Sequence, residues 1–320
     1  MSKIRVGVIG VGYLGKFHAE KYSRMENVQL MGVADIHDAL AKEVAARFNT
    51  RAFSDYRELL GHVDAVSIVV PTEHHFSVAL ECVNHDLDVL IEKPMTATLD
   101  QADELIRMAK SKGRVMQIGH LERFNPAVIA LNDIVHEPMF IEAHRLGIFK
   151  GRSTDVSVVL DLMIHDIDII LNVVKSEIKS IQAVGAPVIC EHADIANVRL
   201  EFASGCVANV TASRISTKNQ RKIRLFQKDA YVSVDFSSRK ITTIHRDESA
   251  ACADSLIPGM DIQQRSFSEA DVLEDELVSY IQAVSTRRAP VVSGIAGRKA
   301  LQVALSITDQ INTAIKLYIN

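Results

Sequence analysis

Apolar runs recur along the first third of the chain, at 3–9, 28–34, 64–70, 87–92 and 114–119. Between them the apolar spacing switches to the three-to-four-residue period of amphipathic helices, near 13–25, 37–48, 55–61, 73–85 and 98–112. Strands that are apolar throughout and alternate with helices predict a parallel sheet covered on both faces. Local signals agree: Thr98 and Gln101 have capping-box spacing, and Gly113 stops that helix.

After His120 the rhythm changes. Residues 121–126 lead into a helix to about Val135, a strand covers roughly Met139–Gly147, and a polar connector runs through Lys150 to Asp155. A long apolar helix is predicted over about Ser157–Val174. Then come mostly strands, near 178–188, 194–203, 206–214, 221–228, 230–236, 240–246 and 263–268, several separated by short turns such as Ala203-Ser204-Gly205. Direct strand-to-strand joins imply antiparallel pairing. Helices at about 271–287 and 296–316 close the chain. The pattern divides the protein into an α/β domain over 1–120, built on a parallel sheet, and a second domain over 121–320.

Composition narrows the function classes. A chain of 320 residues with 48% apolar content fits two domains with substantial cores. A net charge of −4, few aromatics and no Trp give no sign of a nucleic-acid or membrane-surface partner. No apolar run reaches the roughly 18–20 residues that span a bilayer. A Gly-rich turn interrupts the first apolar run, so the N-terminus reads as a strand and not as a signal peptide. Cys82, Cys190, Cys206 and Cys252 are scattered and form no C-x-x-C pair. They read as reduced thiols of a cytoplasmic protein rather than as a zinc site or a disulfide framework.

Three stretches carry candidate chemistry. The first is Gly10-x-Gly12-x-x-Gly15, a strand-to-helix turn with the dinucleotide-binding fingerprint. Gly10 permits the turn, Gly12 lets the backbone approach a pyrophosphate, and Gly15 lets helix and strand come close. The N–H groups of the new helix, with Tyr13 and Leu14 on the turn, face the phosphates. Asp35 ends the second apolar run twenty residues on, where an acid accepts from ribose hydroxyls and repels a 2′-phosphate, favouring NAD over NADP. The competing reading of Asp35 is a cap for the next helix.

The second comprises two strand ends, where chemistry gathers in such sheets. One reads Val70-Pro71-Thr72-Glu73-His74-His75 and the other Ile91-Glu92-Lys93-Pro94. Pro94 keeps Lys93 extended, at the tip of its strand, either with a function or simply solvated. The third is the apolar helix, where Asp161, His165 and Asp168 follow i, i+4, i+7 and share a stripe roughly 60° wide, with Asp166 on another face. An Asp–His stripe there serves proton transfer, a solvated face or a metal. Burial and neighbouring acids pull a His pKa in opposite directions, towards values suited to proton transfer. No third soft or imidazole ligand lies nearby.

Together, the N-terminal glycine turn, Pro71-Thr72-x-x-His75, Glu92-Lys93-Pro94 and Asp161-x-x-x-His165 resemble the glucose–fructose oxidoreductase/inositol dehydrogenase (Gfo/Idh/MocA) family over essentially the whole chain. Gly119-His120-x-x-Arg123-Phe124-Asn125-Pro126 and Asp161-Leu-Met-Ile-His165-Asp166-Ile-Asp168 are similar to its subgroup that oxidises UDP-N-acetylated sugars at the 3-hydroxyl. The resemblance implies a Rossmann domain followed by an α/β domain on a large open, mostly antiparallel sheet, which serves substrate binding and homodimer or homotetramer contacts. The last helix packs back towards the Rossmann domain. It implies Lys93, Asp161 and His165 as the catalytic group. The cofactor set is Gly10, Gly12, Tyr13, Leu14, Gly15, Asp35, Pro71, Thr72, His75, Glu92 and Lys93. The substrate set is Lys93, Arg123, Asn125, Arg152, Asp161, His165 and Asp168, with no metal. Arg123, Lys150, Arg152 and Arg214 are candidates for a diphosphate, or ordinary surface cations. An aminotransferase acting on the ketone product is the implied pathway partner. Ser157-Val158 and Met163 stand where many members have glycine, which puts close backbone approach to a ligand there in question. Relatives handle inositol, glucose and other polyols, and non-catalytic nucleotide-sensing regulators share the fold but tend to lose the Lys or the His.

Overall fold

A computed structural model describes residues 3–151, 154, 156–246, 259–268 and 270–319. The chain forms two compact units. One comprises Met1–Leu121 with Asp271–Leu301, the other Glu122–Ala270 with Gln302–Asn320. The return to the first unit therefore begins one helix earlier than the final helix alone would give.

The first unit holds a six-stranded sheet of β1 (Ile4–Ile9), β2 (Val28–Ala34), β3 (Arg51–Phe53), β4 (Ala65–Ile68), β5 (Asp88–Glu92) and β6 (Met116–Gly119), in the order β3-β2-β1-β4-β5-β6. All pairings are parallel. That is the doubly wound order with its switch point between β1 and β4. The three-residue β3 was invisible in the pattern, being too short to show a period. Helices α1 (Gly15–Arg24), α2 (Asp38–Arg47), α3 (Thr72–Asn84) and α4 (Leu99–Ser111) fill the crossovers. The capping box forms in a variant: the Thr98 hydroxyl accepts from Gln101 N–H at 3.3 Å, while the Gln101 side chain accepts from Ala97 N–H at 3.2 Å.

Later helix α7 (Val272–Thr286; α5 and α6 are described with the second unit) belongs to this unit, burying Leu277, Tyr280, Ile281 and Val284 in one cluster with Val6, Val8 and Tyr22. The start of α8 (Gly294–Ile319) lies against β6. A Cβ at Gly297 would come within 2.6 Å of Ile118, so glycine is what allows that approach.

The second unit holds an eight-stranded sheet. Its strands are β7 (Phe140–Leu146), β8 (Ile178–Ala186), β9 (Ile195–Phe202), β10 (Val207–Ser213), β11 (Gln220–Gln227), β12 (Ala230–Asp235), β13 (Lys240–Arg246) and β14 (Met260–Ser266). The order is β14-β13-β12-β11-β7-β10-β9-β8. Only β7 and β10 pair in parallel; the other neighbours are antiparallel. Buried and less buried positions alternate strictly along β7 and β9, as in a sheet with one face on a core. Two helices, α5 (Pro126–Ile134) and α6 (Ile164–Val173), belong to this unit. Among the described residues no helix is long and apolar enough to cross a membrane.

Candidate active site

In the first unit the glycine turn has the geometry that its spacing predicts. Gly10 sits at φ +85°, a conformation glycine adopts without cost. A Cβ on Gly15 would fall 1.8 Å from the Gly10 carbonyl oxygen, so only glycine permits this turn. Around Gly12 a Cβ would meet nothing within 4 Å, so the space beside the turn is open to a phosphate. Tyr13 and Leu14 are exposed on the turn. The Asp35 carboxylate, at the end of β2, accepts from Val11 N–H and His37 N–H, both at 2.9 Å. It is thereby fixed beside the glycines, with lone pairs left for hydroxyl donors, and the cap reading yields to a bridge between two loops. Ile36, next to it, is 85% exposed, an apolar surface at the same edge. Glycines, helix N-terminus and fixed acid fit a dinucleotide.

The two strand ends are joined by His75. Its Nδ1 lies 2.8 Å from the Pro94 carbonyl oxygen and its Nε2 2.8 Å from that of Val70. The ring is buried, and burial holds its pKa below the ordinary value although both carbonyls pull it up. His75 therefore lies within hydrogen-bond distance of both strand tips and can donate to either carbonyl. Glu92, the last residue of β5, accepts from the Lys93 N–H at 3.2 Å and lies 3.3 Å from Nε2 of buried His18. Burial pushes the Glu92 carboxyl up, and His18 and Lys93 more than offset it. Gly119 makes room for this acid: a Cβ there would meet Oε2 at 3.0 Å. Behind Glu92, on α7, Glu276 is fully buried with neither carboxylate oxygen hydrogen-bonded, and burial followed by the charge of Glu92 pushes its pKa well up.

In the second unit the apolar helix departs from regularity. Its first turn, Val159–Met163, is π-helical: Ile164 N–H reaches back to the Val159 carbonyl. Asp161 thus sits on a widened turn, and its angle to His165 is not that of a regular i, i+4 pair; such turns are frequent at functional sites. Asp161 and His165 are half-buried, while Met163 is fully buried. The bulky residue in the glycine position thus points into the core.

Two predicted substrate residues engage each other. Arg123 Nη1 lies 3.4 Å from Asp168 Oδ1, both largely buried. Asn125 caps α5, accepting from Ala127 N–H at 3.0 Å, while its amide donates to Glu122 at 3.5 Å. Both ends of its side chain are engaged locally, as Asn before Pro at a helix start would suggest. Arg214 is buried and donates to the Val156 carbonyl at 2.6 Å. Lys150 is exposed, and Arg152 lies outside the described residues, as does Cys252. Burial holds the Cys82 thiol up at about 12 and that of Cys206 at about 11.

Sequence reasoning passed over Arg145, His18 and Glu276. Arg145 falls on the inward parity of β7 with Ile141 and Ala143, so strict alternation marks it. Glu276 directly follows Glu274 and Asp275 of its helix's first turn, where acids are ordinary.

Family comparison agrees with this geometry. Residues 4–120 match the model of the oxidoreductase family with an NAD-binding Rossmann fold, and 142–233 match the Gfo/Idh/MocA C-terminal domain. A UDP-N-acetylglucosamine 3-dehydrogenase of Acidithiobacillus ferrooxidans is 40% identical over 96% of this chain and 97% of its own.

The chain is a member of the Gfo/Idh/MocA oxidoreductase family.

A solved structure of the Acidithiobacillus enzyme superposes with a TM-score of 0.90, at 38% identity, covering 98% of this chain and 99% of that one. A myo-inositol 2-dehydrogenase of Thermotoga maritima is 25% identical over 93% of both chains. Levoglucosan dehydrogenase, solved with NADH and L-sorbose, shares the fold at a TM-score of 0.86 and 17% identity. The family places the protein among NAD(P)-dependent dehydrogenases acting on CH–OH groups.

Proposed function

We propose that this Gfo/Idh/MocA member oxidises the 3-hydroxyl of a UDP-N-acetylated sugar with NAD. The observation that carries the reading is full-length similarity at 40% identity to a UDP-N-acetylglucosamine 3-dehydrogenase. Retention of Lys93, Asp161 and His165 in one chain supports it against a non-catalytic reading. Residues 1–120 bind the dinucleotide, and 121–320 supply substrate contacts and the dimer or tetramer interface.

Bound NAD supplies a hydride acceptor at nicotinamide C4. Gly10, Gly12 and Gly15 with the N-terminus of α1 hold its diphosphate. Asp35 accepts from the ribose hydroxyls and repels a 2′-phosphate. His165 takes the proton from the sugar hydroxyl as carbon–hydrogen cleavage proceeds. Lys93, as an ammonium, donates to the same oxygen and stabilises the charge growing on it. Asp161 orients His165. Arg123 and Asp168 act as a pair, Asp168 accepting from a sugar hydroxyl. A ketone product suits an aminotransferase as the next enzyme.

A panel of UDP-sugars, free sugars and inositols, followed by NADH absorbance, tests the assignment. Reduction with UDP-N-acetylglucosamine is expected; comparable rates with free sugars and none with UDP-sugars reject it. His165→Ala and Lys93→Ala are each expected to lower turnover by about 10²–10⁴-fold with NAD affinity retained. Wild-type turnover in both would remove them from the catalytic group.

A further inference from the structure

Helix α6, which presents His165, is tied to its unit by a buried ionic cluster. Arg145 rises from the inward face of β7 and is 3% exposed. Its Nε donates to Asp166 Oδ2 at 2.9 Å and its Nη2 to Asp166 Oδ1 at 2.8 Å. Its Nη1 donates to Glu122 Oε1 at 2.9 Å. The Phe236 ring lies 5.8 Å from the guanidinium carbon. Arg221 adds favourable charge to both acids. Further along the helix, Arg123 meets Asp168 from the same turn that supplies Glu122.

Stability alone does not account for this arrangement. Well-packed apolar residues in place of a buried ion cluster are often neutral or stabilising. What a bidentate fork provides is direction: two parallel N–H···O bonds in one plane fix a carboxylate as apolar contacts do not. The carboxylate so fixed belongs to Asp166, the residue immediately after His165. Rotation of α6 about its axis would break both bonds at once and swing the imidazole with it.

We propose that Arg145, forked to Asp166 and braced by Glu122, is a positioning residue that sets the rotation of α6 and so the direction in which His165 presents its imidazole. The proposal rests on His165 being the base, a reading that His165→Ala tests separately.

Asp166→Asn keeps the shape and leaves Arg145 paired with Glu122. Its expected effect is a fall in kcat of about ten- to a hundredfold, the range seen when a reacting group is slightly misplaced, with NAD affinity and sugar KM within about twofold of wild type. Arg145→Lys, which keeps the charge but loses the fork, should retain intermediate kcat. The combined variant Arg145→Leu, Asp166→Leu, Glu122→Leu separates positioning from stability, with an expected Tm near or above wild type and kcat still reduced. Wild-type kcat in folded Asp166→Asn, or in the folded triple variant, overturns the proposal. If the triple variant does not fold, Asp166→Asn and Arg145→Lys decide it. Loss of kcat in Asp166→Asn alongside full activity of His165→Ala would instead sink the reading of His165 and leave Asp166 a group with another role.

Discussion

Both units bury carboxylates, and they do so in opposite ways. In the second, Asp166 and Glu122 flank a guanidinium that bonds to both. Desolvation opposes charge on Arg145, yet its two acids outweigh it and raise its pKa, while Arg145 in turn holds Glu122 below its usual range. In the first, Glu276 lies near Glu92 and, among the described residues, has no cationic partner. His18 pairs with Glu92, while burial and the like charge of Glu92 push the Glu276 carboxyl well above its usual range. Burial pushes the Asp166 carboxyl up as well, and Arg145 pulls it back down, an offset that Glu276 lacks. The forked cluster aims a helix; Glu276 lies near Glu92, at the strand end that precedes Lys93.

The largest effect that breaks this contrast is removal of the cation. Arg145→Met leaves two acids in the core without a partner, an expected loss of about 3–5 kcal/mol, read as a lower denaturation midpoint. An unchanged midpoint would mean that the acids were not held as anions. Next is Glu276→Gln, which mimics the protonated acid. With a folded pKa above the ordinary 4.5, Glu276 gives the native state the extra proton, so its contribution is complete below about 4.5 and is lost as pH rises. The variant should match wild type near pH 4.5 and gain on it towards pH 8, by at most about 1.4 kcal/mol per pH unit. A pH-independent difference would show that Glu276 is ionised throughout. Smaller again is Glu92→Gln. Because burial is the larger cause of the Glu276 shift and Glu92 the smaller, this variant should narrow that pH window only in part. Smallest is the exposed pair Lys42–Asp38, where Asp38→Asn should move Tm by about 1 °C or less.

The two regions also differ in how well the sequence announced them. The glycine turn, Asp35 and Lys93 are neighbours of strand ends, so a local pattern locates them. The Arg145 cluster draws on residues 122, 145 and 166, whose meeting depends on a strand's inward parity and a helix's rotation. Asp166 read as the odd residue off the polar stripe, and the core holds it as firmly as it holds Asp168 on the stripe. Asn125 and His75, expected at the ligand sites, also have local partners: Asn125 caps a helix, and the His75 ring lies between two carbonyls.

By itself the sequence determined the strand–helix alternation, the antiparallel character of the second sheet and the glycine turn, because each is written in periods of two to four residues or in a short motif. Tertiary structure alone decided that α7 joins the first unit, that the helix bearing His165 follows a π turn, and which buried charges find a partner. Those outcomes depend on what surrounds a side chain in space, and desolvation and pairing act over distances that spacing along the chain does not encode.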